Sequence, residues 1–383
     1  MYIDRSRCRR CVGVAYCCLA LDHIAGVDGE GGYDSVRASS WYDGRCHNAG
    51  SASGYTYNTR LTLSTGTALE PECKMFRLLA DIFNDVAMVL DCLSPAFPKP
   101  ARVLVLGASS MLRALCGVAA GSSKASLSAH FARSNNLAEL NAKDSSQETI
   151  ISLLGMAAGS IVVSYVTSPL ATWSALALLL SIHLGMNHAA VRAVTMRTLN
   201  RQRATIVFSQ FVTHGSILTP EQVSERERIF ERDGVVRNSE DRVLGYCQIG
   251  VSLSMLLASI GHTASTSRSM HVPKDELTRL FSDFDDEGYI LHARGGNARI
   301  MLKTNSTPQT QLKAWYHALL ALHVADDEAA GKRKGNEVLL PNSEAWALLE
   351  RNLKRAGWDL ETGALETHPG TRVSFSSTAA IQS

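Results

Sequence analysis

The chain has 383 residues, 45% of them apolar and only 19% charged, with a formal net charge of +2. That length accommodates two domains or one large one, and the low charged share favours much buried or lipid-facing surface. A nearly neutral balance supplies no long-range field for a polyanion, so nucleic acid is excluded as the expected partner.

Residues 1 to about 70 are rich in Gly, Ser, Tyr and Asp and carry no sustained period, which predicts an irregular or disordered lead. Arg5 to Arg10 followed by the apolar run Cys11 to Leu21 imitates a secretory signal, but Asp22 and His23 end the run without a small-residue cleavage site, and none is read. The nine cysteines, Cys8, Cys11, Cys17, Cys18, Cys46, Cys73, Cys92, Cys116 and Cys247, are scattered and odd in number, so they read as reduced thiols. Cys8-x-x-Cys11 lacks a second pair at zinc spacing, and neither a metal nor a cofactor is expected.

From Met75 the character changes. Met75 to Leu93 predicts a helix, broken by Ser94-Pro95, Pro98 and Pro100. On it Arg77, Asp81, Asn84 and Asp85 fall three and four residues apart and share one stripe. In water that stripe is a solvated face; in a membrane bundle it must meet a partner, and Arg113 on the next apolar segment, Val103 to Gly121, is the expected one. Asp81, Asn84, Asp85 and Arg113 therefore form a candidate intramembrane polar cluster. Val103 to Leu112 also imitates a dinucleotide-binding strand and turn, but only Gly107 of the three glycines is present.

A polar connector, Ser122 to Glu148, concentrates Lys124, His130, Arg133, Asn135, Asn136, Lys143, Asp144 and Gln147, candidates for an anion or headgroup site at a helix entrance. Ser145 and Glu148 are spaced as a capping box. Then no Asp, Glu, Lys or Arg occurs from Thr149 to Val191, 43 residues divided by Ser168-Pro169 into halves of bilayer-crossing length. Small residues repeat at Gly117/Gly121 and Gly155/Gly159, spacings that let helices approach closely. His183 and His188 within the run read as satisfied core histidines. A second uncharged run, Val243 to Ser267, gives a weaker third candidate span, so two or three spans are expected. Arg192, Arg197, Arg201 and Arg203 after the long run favour a cytoplasmic position for that end.

The C-terminal part differs. Thr219-Pro220-Glu221-Gln222 opens a charged helix through about Phe230. Asp283-x-Asp285-x-Glu287-Gly288 imitates a calcium loop, but Arg294 stands where a bidentate carboxylate belongs. Tyr289–His292 and Ala298–Lys303 read as strands joined through Arg294-Gly295-Gly296-Asn297. Thr307-Pro308 starts a helix to about Val324, and a last helix, Ser343 to Ala356, stops at Gly357. The fold class is mainly α: a membrane-associated helical domain, 72–262, then a small α+β domain, 265–360, and a disordered tail, 361–383.

The segments Phe76-Arg-Leu-Leu-Ala-Asp-Ile-Phe-Asn-Asp-Val-Ala, Ser126 to Ala138, Ala142 to Thr149, Leu199 to Ala204, Ser224 to Ile229, Tyr289 to His292 and Gln311 to Ala318 resemble, in order, the root UV-B sensitive family. The resemblance covers about 72–360. It implies a helical protein with transmembrane segments, linked in plants to early responses to low UV-B, vitamin B6 balance and auxin transport, and it brings no catalytic residues. Residues 37 to about 70 depart from the family pattern, as a truncated or mis-joined gene would. The expected function is a membrane-embedded helical protein supporting transport or small-molecule homeostasis, in contact with membrane lipid and with a protein partner or second copy. The alternative is a soluble or peripheral helical scaffold that binds a partner protein. No Ser/His/Asp, Cys/His or phosphate-cradling constellation stands out, so an enzyme ranks third.

Overall fold

The structure, a computed structural model, describes residues 72–132, 136–166, 168–263, 270–271, 274–329, 343–366 and 371–374. The expected irregular lead, 1–70, lies outside the described residues. The chain divides into two compact units between Val194 and Thr195.

Among the described residues the first unit has four α-helices: α1 (Cys73–Leu93), α2 (Lys99–Phe131), α3 (Leu137–Tyr165) and α4 (Pro169–Ala193). α1 ends where Pro95 opens a short 3₁₀ turn, Ser94–Ala96. Val103 to Leu112 is helical inside α2, which removes the dinucleotide-strand reading. α3 starts at Leu137, so Ser145 and Glu148 sit inside a continuous helix and form no capping box. The long charge-free run becomes the body of α3 and all but the end of α4, with Ser168 capping α4 through the Ala171 amide at 3.2 Å. α1 packs along α2 and against α4, where Met88 meets Leu176. Ser109 of α2 donates to the Ala87 carbonyl of α1 at 3.1 Å.

Solvent preference is inverted in this unit. α2, α3 and α4 turn large apolar side chains outward, with Leu104 76%, Ile161 60% and Leu178 62% exposed. Buried positions include Ser109, Ser123, His183, Asn187, Asp81 and Asp85. Gly155 and Gly159 are the buried residues of α3.

The second unit begins with α5 (Arg201–His214) and α6 (Pro220–Arg226). Strands β1 (Val235–Arg237) and β2 (Val243–Ile249) follow, then α7 (Leu253–Ile260), the short pair β3 (His262–Thr263) and β4 (Met270–His271), and α8 (Lys274–Asp283). Strands β5 (Tyr289–Arg294) and β6 (Asn297–Lys303), helices α9 (Pro308–Ala329) and α10 (Ser343–Arg355), and β7 (Arg372–Val373) complete it. The main sheet runs β1-β2-β6-β5, with β7 on the far end of β6; β2 and β7 are parallel to β6 and the other pairs antiparallel. The β5–β6 hairpin turns on Gly295 and Gly296, both at positive φ, as a two-residue turn of the favoured twist requires. α9 covers β2, β5 and β6, and α5 lies on α9, with the Trp315 indole donating to Thr205 Oγ1 at 3.0 Å. Phe208, Tyr316 and Trp346 stack around that contact.

Several expectations change here. Residues 195–262 join the C-terminal unit, because Ala204, Val207 and Phe208 of α5 bury against its core. The run Val243 to Ser267 is no span: its described part is a strand, an eight-residue helix and a two-residue strand. The third long apolar helix is α2. The Thr219–Gln222 capping box forms, but α6 ends at Arg226. Part of the expected tail is ordered, with Leu365 in the core and β7 on the sheet. Arg201 and Arg203 are internal struts: Arg203 meets Glu227 at 2.8 Å and the Thr198 carbonyl, while Arg201 reaches the Leu365 carbonyl at 2.6 Å and Asp233.

Arg203→Ala strands the buried Glu227 carboxylate, and a loss of about 3–5 kcal/mol is expected in urea unfolding followed by tryptophan fluorescence, against a much smaller loss for Arg203→Met with Glu227→Leu. His317, buried beside Tyr289 and Phe284, has its pKa pushed from 6.5 down to about 4, by burial first and Lys313 second. The unfolded chain therefore binds the extra proton between those values, and folding stability is intact above pH 6.5 and falls on the order of 3 kcal/mol as pH drops towards 4. Unfolding midpoints across that window, read through Trp315 and Trp358, check this; His317→Gln should flatten the slope.

Candidate functional site

Helical spacing builds the buried polar seam. Arg77, Asp81 and Asp85 follow one another at four-residue steps on α1, rising roughly 12 Å in all. His183 and Asn187 stand at the same spacing on α4. Arg77 approaches Asp81 at 3.7 Å. His183 Nδ1 lies 2.9 and 3.0 Å from the two carboxylate oxygens of Asp85, and Asn187 Nδ2 lies 2.7 Å from His183 Nε2. A carboxamide nitrogen only donates, so Nε2 accepts and Nδ1 carries the proton shared with Asp85. The second oxygen of Asp81 is buried without a hydrogen-bond partner.

Of the cluster expected on α1 and α2, Asp81 and Asp85 enter the seam, Asn84 is half-buried outside it, and Arg113 bonds Asp91, two turns of α1 further along. Asp85 takes a histidine from α4 instead. The signal for this was present: His183 and Asn187 are polar at i, i+4 in a run without charge, a placement that marks a facing partner when the other faces meet apolar surroundings.

The connector behaves otherwise. Lys124 of α2 binds Asp144 at 2.9 Å and Glu148 at 2.7 Å on α3, and Lys143 pairs along its own helix with Glu139. Both lysines of the connector are thus matched by carboxylates. His130 packs edge-on against Phe131, Asn136 immediately precedes α3, and Gln147 is exposed. Arg133 and Asn135 lie outside the described residues.

In the second unit a cavity of about 530 Å³ is lined by Arg226, Arg228, Arg237, Glu231 and Asp241 among others. Asp241, at φ 67°, is the non-glycine residue with positive φ among the described residues, and it receives Arg228 while Arg237 binds Glu231 at 3.0 Å. Buried Cys247 has its thiol pushed far up by desolvation, so it is an inert core sulfur.

These features define a helix-rich protein in which three helices are long and apolar enough to cross a bilayer and precede a separate α+β unit. The chain belongs to the root UV-B sensitive family. The family domain described as vitamin B6 photo-protection and homoeostasis matches residues 53–215, so it takes in part of the segment, 37 to about 70, expected to depart from the family, and ends with α5. Protein root UVB sensitive 3 of Arabidopsis thaliana is 30% identical over 313 residues, 78% of this chain and 66% of its own. RUS family member 1 of Dictyostelium discoideum is 39% identical over 168 residues, 43% of this chain and 32% of its own. Protein root UVB sensitive 2, chloroplastic, of Arabidopsis thaliana is 23% identical over 251 residues, 65% and 53% of the two chains. The chain thus spans from a third to just under two thirds of the length of these relatives. No solved structure matches.

His183→Ala leaves the Asp85 carboxylate buried and unpaired, and a loss of about 2–4 kcal/mol is expected at neutral pH. Lys124→Ala removes half-exposed pairs and should cost less than about 1 kcal/mol. Thermal unfolding of the two variants beside the parent chain distinguishes a seam that holds the helices from a connector that does not.

Proposed function

We propose that this chain is a membrane-embedded helical protein that supports transport or homeostasis of a small molecule of the vitamin B6 class, with the α+β unit outside the lipid for partner contact. The observation that carries the reading is the inverted solvent preference of the first unit: apolar side chains outward, a charged and amide-bearing seam inward. In water such surfaces on α2, α3 and α4 are unfavourable by roughly 25 cal/mol for each Å² of apolar area left uncovered. In acyl chains they are at home, and the polar groups are kept where they meet one another.

Lengths agree. At 1.5 Å per residue the three helices run roughly 50, 43 and 38 Å, more than the roughly 30 Å of a hydrocarbon core. Lys124 on α2 and Asp144 and Glu148 on α3 bind one another where the apolar stretches of both helices end. Both helices would therefore leave the hydrocarbon at one level, with their charges among headgroups. The vitamin B6 class comes from the description of the matching family domain; the transport role is our own inference from the buried seam.

Alkaline carbonate extraction of membranes carrying the tagged full chain tests the reading. Retention in the pellet is expected. Release into the supernatant would sink it and leave the scaffold alternative, in which a partner protein covers the exposed faces.

A further inference from the structure

Resting on that membrane reading, we propose that His183 with Asp85 is a reversible proton-binding site within the helical unit, and that the Asn187 amide turns over with its occupancy. The argument starts from the hydrogen bonds. With Nδ1 donating to both oxygens of Asp85, Nε2 is the basic atom left on the ring, and it faces Asn187 at 2.7 Å. A carboxamide has a donor on one side and an acceptor on the other, so half a turn about its last torsion satisfies either form of the ring. A backbone carbonyl or a lysine at this position would lock one form.

The step is simple to balance. One proton from water adds to His183 Nε2, no heavy-atom bond forms or breaks, and Asp85 stays ionised. The His183–Asp85 pair goes from a charge of −1 to 0, and Asn187 changes from offering Nδ2 to offering Oδ1. In both states every atom of the pair keeps a partner, while the electrostatics of the buried seam change by a full unit. Met88, Leu176, Leu179 and Leu180 form the apolar packing between the same two helices, so that change is weakly screened.

The charged and titratable groups nearest the pair are Arg77 and Asp81 from α1 and Cys116 from α2, with Arg113 of α2 held by Asp91 further along. Asp81 stands one helical turn from Asp85 with a buried oxygen that has no hydrogen-bond partner. A buried carboxylate oxygen in that condition is unfavourable until a proton, a water or a ligand donor reaches it. It is the second observation that the seam is built to take up something, and it gives a proton leaving His183 an acceptor on the same lane. A seam serving packing alone would be at least as stable with apolar residues of similar volume.

The test uses the full chain, with ¹⁵N-labelled histidine, in lipid nanodiscs. The imidazole signal absent from the His183→Gln variant is followed from about pH 8 to about pH 5, the window in which imidazole changes charge. Conversion from a ring protonated at Nδ1 alone to a doubly protonated ring is expected. Asp85→Asn, which keeps the side-chain shape and removes the anion, should change the pH dependence of that signal. A His183 ring that stays in one form across the window, or a midpoint that Asp85→Asn leaves in place, overturns the proposal. If His183→Gln fails to enter nanodiscs, Asn187→Asp identifies the same ring by shifting its signal. Carbonate extraction of the same preparations separates the two ideas. A chain that is retained but silent keeps the membrane reading and loses the proton site; a chain that is released but titrates does the reverse.

Discussion

The first unit turns large apolar side chains outward on α2, α3 and α4 and keeps polar groups between its helices. Beside the apolar contact of Met88 with Leu176, the side chains between α1, α2 and α4 include a histidine, two carboxylates, an asparagine and a serine. Everything else about this unit follows from that arrangement. Polar groups buried between helices need partners, and Asp85, His183 and Asn187 supply them to one another, while apolar side chains of α2, α3 and α4 are exposed among the described residues.

The second unit obeys the ordinary rule. A mixed sheet with α9 on one face buries Trp315, Tyr289, Ile300 and Met301 completely, and its internal charges are paired as Arg203 with Glu227. Its cavity of about 530 Å³ is lined by guanidinium and carboxylate groups that largely neutralise each other. Of the arginines that end α4 and follow it, two belong to the interior of the second unit. Arg201 and Arg203, at the start of α5, are buried and serve as struts there.

Family membership and the seam meet on one region. The matching domain, 53–215, includes all of α1 to α4, hence both helices that carry the seam, and it runs on into α5. A vitamin B6 homoeostasis domain therefore has, at its structural centre, a buried carboxylate–imidazole–amide row under an apolar exterior.

Local physics made most of the elements legible. The charge-free run with Ser168-Pro169 in its middle could only give two apolar helices, the glycine pair at 295–296 between alternating segments gave a hairpin, and Gly357 at φ 96° ended the last helix. Each of those signals acts over a few residues, and sequence shows such signals directly. The division of the chain at Val194, the burial of α5, and the conversion of Val243–Ser267 into strand and short helix depended on which faces found each other, which periodicity leaves open. The same holds for the seam. Composition placed Asp85 on a polar stripe and offered Arg113 as its partner, but the pairing of α1 with α4 brought His183 across 98 residues and gave Arg113 to Asp91. The sequence determined the stripe, because a helix fixes its own repeat; only tertiary packing decided what the stripe would touch, because that choice is made by helices distant in the chain.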